Sequence, residues 1–231
     1  MKKVISILAT LMLTTMSINF ANAGSYGIGV TGSIMDVSAS GSVTEGNETT
    51  TSSASNNAIV PSIFAEYSLD DASWASTGNG VTFGIQYIPG AADVSDKVKS
   101  RTDTETSVTG DLTANTTSRT QTAQAEISKY TNLYIELPIW KSLYVKAGMG
   151  QIDVNTLETT NGSNGGTYGN ATLDTTNYGV GFKGVTDSNI IWKVAYEEIN
   201  FDTLNLTSTT SNTLKADLDT SEVNLSIGYR F

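Results

Sequence analysis

Residues 223–231 read VNLSIGYRF. Successive side chains of a β-strand point to opposite faces. Val223, Leu225, Ile227, Tyr229 and Phe231 therefore share one face, and Asn224, Ser226, Gly228 and Arg230 share the other. An uninterrupted apolar row needs an apolar medium to cover it, and the rest of the chain decides which medium that is.

The same two-residue period recurs along the sequence. It predicts strands near Tyr26–Val43, Ala58–Leu69 and from Val81, then at YTNLYIEL (130–137), Leu143–Gly150, Tyr178–Lys183, Trp192–Glu197 and the closing stretch. In the seventh strand the period becomes ambiguous at EEINF, where Ile199 and Phe201 change parity; a bulge or the end of the apolar zone is expected there. Polar connections alternate between long and short. TEGNETTTSSASNN (44–57), the stretch from Gly90 to Arg119, TTNGSNGGTYGNATLDTT (159–176) and Thr207–Asp219 read as long loops. DDASWASTGNG, Pro138–Ser142 and TDSN read as short turns. Eight amphipathic strands joined as successive hairpins make a closed up-and-down barrel.

The polar face carries Gly27, Gly29, Gly84, Gly148, Gly150, Gly179, Gly181 and Gly228. An eight-stranded barrel has an interior that side chains just fill, so small residues belong inside it. That orientation turns the apolar face outward, toward lipid, where only a closed ring leaves no unpaired backbone edge. Aromatics fall in two bands, as the interfaces of a membrane barrel require. Tyr26, Tyr67, Phe83, Trp192, Tyr229 and Phe231 sit at one rim and Tyr87, Tyr178 and Tyr196 nearer the other. The expected fold is all-β, a closed eight-stranded antiparallel up-and-down transmembrane β-barrel.

Lys2 and Lys3 precede the apolar run Val4–Met16, and Ala21-Asn22-Ala23 forms a small-x-small cleavage site. Residues 1–23 are thus expected to be a signal peptide, with 24–231 the barrel domain. Cleavage would remove two lysines and no acid, taking the net charge from −10 to −12. An acidic balance of this size disfavours nucleic acid. The chain has no cysteine, which excludes a disulfide framework and cysteine-based metal sites. It has no histidine either, which removes the usual general base and the commonest transition-metal ligand. Neither an enzyme nor a cofactor is expected. Adjacent acids such as Glu197-Glu198 point to opposite faces of a strand and do not make an acid–base pair.

With this architecture and this terminus the chain resembles small bacterial outer-membrane barrels of the OmpA-transmembrane, OmpX and opacity-protein type. In those proteins the last strand ends in Phe after alternating apolar residues. Val223, Leu225, Ile227, Tyr229 and Phe231 match that pattern. The resemblance implies export, integral residence in the outer membrane among its lipids, and recognition of the last strand by the barrel-assembly machinery.

The charges assigned to the interior are Glu66, Glu136 and Glu197 with Lys146, Lys183, Lys193 and Arg230. Buried charges are costly unless paired, so these are expected to form a network that fills the barrel. Function then rests on long loops displayed on a rigid scaffold: a structural or surface-interaction role, as a monomer, with an extracellular partner whose identity the residues do not specify. Acidic loop residues such as Asp103, Glu105 and Asp111 match no calcium loop. Removing residues about 92 to 118 is expected to leave folding intact. The alternatives are a narrow porin-like pore for ions or small solutes and a secreted soluble β-barrel binding protein.

Overall fold

The computed structural model describes residues 24–71, 79–93, 99–108, 110, 114–161 and 166–231. The expected signal peptide and residues 72–78 of the DDASWASTGNG turn lie outside the described residues. The strands are β1 (Gly24–Glu45), β2 (Glu48–Asp71), β3 (Gly80–Tyr87), β4 (Ala91–Asp93), β5 (Lys99–Val108), β6 (Ala114–Trp140), β7 (Leu143–Asn161), β8 (Ala171–Val185), β9 (Ile190–Phe201), β10 (Leu204–Thr207) and β11 (Thr213–Arg230). They form one antiparallel sheet in the order β1-β2-β3-β6-β7-β8-β9-β11, which closes where β11 pairs with β1 from Gly27↔Arg230 to Thr44↔Thr213. β4 and β5 continue above β3 beside β6, and β10 continues above β9 beside β11. The ring therefore has the eight staves that the period predicts.

Much of what composition marks as loop is strand. Over 44–57 the only break is a two-residue turn, Gly46-Asn47, with Gly46 at φ 60° where a side chain would be strained. The strands run unbroken from Gly24↔Leu69 to Glu45↔Glu48. The other long connections are shortened in the same way, by β5 and the start of β6, by the upper part of β7 with β8, and by β10 with the start of β11. Thr supplies the reason, because a β-branched side chain suits a pleated strand whatever its polarity. Cross-strand hydroxyl pairs help hold these hairpins, such as Thr44 with Thr49 and Thr102 with Thr120, each at 3.1 Å.

Burial divides the barrel into two tiers of opposite polarity. In the lower tier the outward face is apolar and exposed: Ile28, Val30 and Ile34 on β1, Val145 and Met149 on β7, and Leu225, Ile227 and Phe231 at the end of the chain. The inward face is polar and buried. Tyr26, Phe83, Trp192 and Tyr229 ring one edge of this belt, and Tyr178 and Tyr196 stand at the other. Trp140, 60% exposed, joins the first group from a stretch that the sequence assigns to a turn.

In the upper tier the faces exchange character without any change of direction. On β1 the inward row passes from Thr31 and Ser33 to Met35 and Val37, while the outward row passes from Ile34 to Asp36 and Ser38. On β7 the inward row goes from Lys146 to Ile152 and Val154. On β9 it goes from Lys193 and Glu197 to Ile199 and Phe201. The parity change at EEINF is thus no bulge. Pairing of β9 with β8 and β11 runs without a register shift, and Ile199 keeps the inward direction of Glu197 while its surroundings change. A bulge does occur on β6, at Lys129 with φ 54°, and it keeps both Ile127 and Tyr130 facing in.

An exposed apolar belt about nine residues tall, with aromatic edges and a polar interior, is the exterior of an outer-membrane-type β-barrel. Arginine in place of Ile227, near the middle of the belt, should destabilise the barrel by about 2–4 kcal/mol. Arginine in place of outward Asp219, above the belt, should change stability by about 0.5 kcal/mol or less. Urea unfolding from lipid vesicles measures both, and equal effects at the two positions would sink the assignment of the belt.

Candidate functional site

The lower lumen is where the inward-pointing charges converge. Glu66 lies on β2, Glu136 on β6, Lys146 on β7, Lys183 on β8, and Lys193 and Glu197 on β9; all are buried. Lys193 is the hub: its ammonium donates to Glu136 Oε1 at 2.8 Å and also to Glu66 Oε2. Lys183 takes the other oxygen of Glu136 at 2.9 Å and reaches Thr82 Oγ1 at 2.6 Å. Lys146 donates to Glu197 Oε1 at 2.8 Å and to Gln86 Oε1 at 3.3 Å.

Neutral donors and rings complete the layer. Tyr134 donates its hydroxyl to Glu66 at 3.2 Å, and Asn177 and Asn224 donate to Glu197 at 3.2 Å and 2.9 Å. The ammonium of Lys146 lies 4.4 Å from the Tyr134 ring centre and that of Lys193 4.9 Å from Phe64. Inward glycines make room for those rings. A Cβ on Gly84 would collide with the Tyr134 ring, and one on Gly29 with Phe64. The space left in this layer is about 20 Å³, room for roughly one water.

The structure thus brings six of the seven sequence-chosen charges into two connected sets. The seventh, Arg230, is half-buried at the lower mouth, where its Nε donates to Ser25 Oγ. Sequence reasoning missed Glu222, which is buried on β11 and held at 2.9 Å by Asn224. Its parity with Asn224 and Ser226 carries the signal, one residue before the motif that marks the last strand. Among the described residues the interior therefore buries four carboxylates against three ammonium groups, with the Asn224 amide partnering the extra one.

The upper lumen is filled differently. Met35, Val37, Val60, Ile127, Val154, Leu173, Ile199 and Leu218 pack there as one apolar cluster. Sequence reasoning carried the first strand into this tier but did not assign its apolar filling, although the inverted period carries it. Among the described residues no group of His, Cys, Asp and Glu is placed to hold a metal ion. Val223, Leu225, Ile227 and Tyr229 form the outward row of β11, with Phe231 just past its end; Phe231 N donates to Tyr26 O at 2.8 Å, and the Tyr229 and Phe231 rings meet edge to face at 5.2 Å.

No family model matches the chain, and no curated protein matches it. Solved structures similar to it include Ail, the attachment invasion locus protein of Yersinia pestis, in complex with the heparin analogue sucrose octasulfate, at 16% identity, 88% of this chain, 99% of that chain and a TM-score of 0.33. Neisserial surface protein A is similar at 12% identity, 87% and 97% coverage and a TM-score of 0.36. The outer membrane protease OmpT from Escherichia coli is similar at 7% identity, 90% and 97% coverage and a TM-score of 0.43.

Proposed function

We propose that this chain is an integral outer-membrane barrel with a closed lumen, which acts through the β-hairpin crown that it holds above the membrane. The observation that carries this reading is the two-layer filling of the lumen. An ion therefore meets first a hydrogen-bonded charge layer and then an apolar one. Moving a bare charge into the apolar layer is strongly unfavourable. The narrow pore is disfavoured on that ground, and the soluble binder by the exposed belt from Tyr26 to Ile34 and from Val223 to Phe231.

On the same reading the barrel sits as a monomer among outer-membrane lipids. Val223, Leu225, Ile227, Tyr229 and Phe231 are the strand that the assembly machinery engages, and the crown meets an extracellular partner.

Reconstitution in a planar lipid bilayer is expected to give no steady current steps at moderate voltage, and reproducible open steps would overturn the closed-lumen reading. Removing residues 99–118, most of the β5–β6 hairpin, should leave insertion and heat-modifiable migration intact while abolishing any binding to cells or matrix. The described ladders of β5 are with β6, and β6 meets β7 only from Thr120↔Asn161 downward, which the deletion leaves in place. Failure of the shortened chain to insert would make the hairpin structural.

A further inference from the structure

The barrel wall has an unstitched seam beside the upper lumen. β2 and β3 are paired from Asp71↔Gly80 up to Ile63↔Tyr87. Above that row β4 and β5 pair with β6, and among the described residues no ladder joins either of them to β2. Pro61 and Pro89 flank the gap, and neither has an N–H with which to bridge it. Ile88 is held to the far side, its N–H donating to Tyr130 O at 2.9 Å.

Behind the seam lies a cavity of about 100 Å³. Inside it is lined by Met35, Val60, Ile127 and Ile152; at its mouth stand Ile59 and Ala91. Ile59 points outward, is 82% exposed and pairs with Ile34 in the top apolar row of the belt, directly below the polar pair Asp36↔Asn57. The mouth therefore opens sideways where membrane hydrocarbon ends, and the cavity continues that hydrocarbon into the barrel.

The geometry points to a lateral acyl-chain site: the end of one lipid tail from the surrounding leaflet enters between β2 and β4 and fills the space against Met35, Ile127 and Ile152. Water is a poor occupant. An apolar cavity of about 150 Å³ stays dry and takes up an apolar molecule of benzene size, and this one is apolar over most of its wall, with Ser128 and Tyr130 as its polar members. About 100 Å³ accordingly suits a chain terminus rather than a whole lipid. Among the described residues no ladder crosses between Ile59–Ser62 and Ile88–Ala91, so the chain enters there without breaking one. This site rests on the membrane-barrel reading and is compatible with a closed lumen, because entry is from the side and leads to neither mouth.

The full chain, refolded into phosphatidylcholine vesicles doped with a phospholipid carrying a diazirine at the tail terminus, is irradiated and mapped by mass spectrometry. Label is expected on the outward residues Ile59 and Ile63 and also on the inward residues Met35, Ile127 or Ile152. Ala58→Phe fills the cavity from within and Ala91→Phe blocks its mouth. Each should lower inward label at least tenfold and leave outward label unchanged, with heat-modifiable migration confirming the fold. Outward label without inward label would overturn the site, as would inward label that survives both variants. Inward label given only by a water-soluble short-chain diazirine acid would overturn the membrane source of the tail. Loss of the outward label as well would count against the membrane reading itself, and the site would fall with it.

Discussion

Replacing Glu136 with alanine is expected to destabilise the barrel by about 3–5 kcal/mol, the range for removing one partner of a buried ion pair. Glu136 is 2% exposed and accepts from two ammonium groups, Lys183 at 2.9 Å and Lys193 at 2.8 Å. Truncation takes a carboxylate partner from both ammonium groups in a lumen with room for roughly one water. Lys193 keeps Glu66, whereas Lys183 keeps only the Thr82 hydroxyl and, at 3.3 Å, the Gly80 carbonyl among its described hydrogen bonds. Lys183 should therefore dominate the loss. Glu136→Leu combined with Lys183→Leu should recover more than half of it, because a well-packed apolar pair replaces a buried ionic one at little cost. Urea midpoints in lipid vesicles, converted at constant slope, measure the cycle. A loss below about 1 kcal/mol for Glu136→Ala would mean that water or rearranged donors solvate the lysines and that the layer is not dry.

The membrane tier is legible in the sequence because its two faces are chemically distinct and in constant phase. Alternation through residues such as Leu225 and Ile227 fixes the outward face, and the crowding of glycines opposite them fixes the inside. The same logic selects Glu66, Glu136, Lys146, Lys183, Lys193 and Glu197, but it says nothing about who pairs with whom. Pairing depends on register across strands far apart in sequence: Lys193 reaches Glu66 because β9 and β2, with only β11 and β1 between them in the ring, turn both side chains into the lumen. Arg230 shares the inward parity yet sits at the mouth, where the ring ends.

The crown is harder to read, because its signal is the membrane signal inverted. Asp36, Ser38 and Ser40 occupy the outward row that apolar residues hold below, and Met35, Val37 and Ala39 occupy the inward one. A reader following the apolar face loses it after Ile34, although the two-residue period carries the strand on to Val43. In fact only the solvent outside has changed, from hydrocarbon to water, and the core has moved inside to match. Composition compounds the difficulty, since Thr and Ser mark loops by polarity while Thr favours strands by shape.

That inversion sets two adjacent residues against each other. Val37 is 5% exposed and packs in the upper apolar cluster; Ser38 is exposed on the outward face and pairs across the sheet with Asp219. Val37→Lys buries an ammonium with apolar neighbours and should destabilise the crown by at least about 3 kcal/mol, as an uncompensated buried charge does. Ser38→Lys places the same group in water opposite a carboxylate and should change stability by about 0.5 kcal/mol or less. The damage from Val37→Lys should also stay in the upper tier, because the charge layer and the lipid belt below share none of the lost packing. Hydrogen exchange in vesicles reads this directly. Amides of the β1–β2 hairpin above Asp36 should lose protection while those of Val223–Arg230 keep theirs, since regions stabilised by different contacts open separately. Loss of protection in both tiers together would show that crown and belt are one cooperative unit, and an innocuous Val37→Lys would show that the upper lumen is wet.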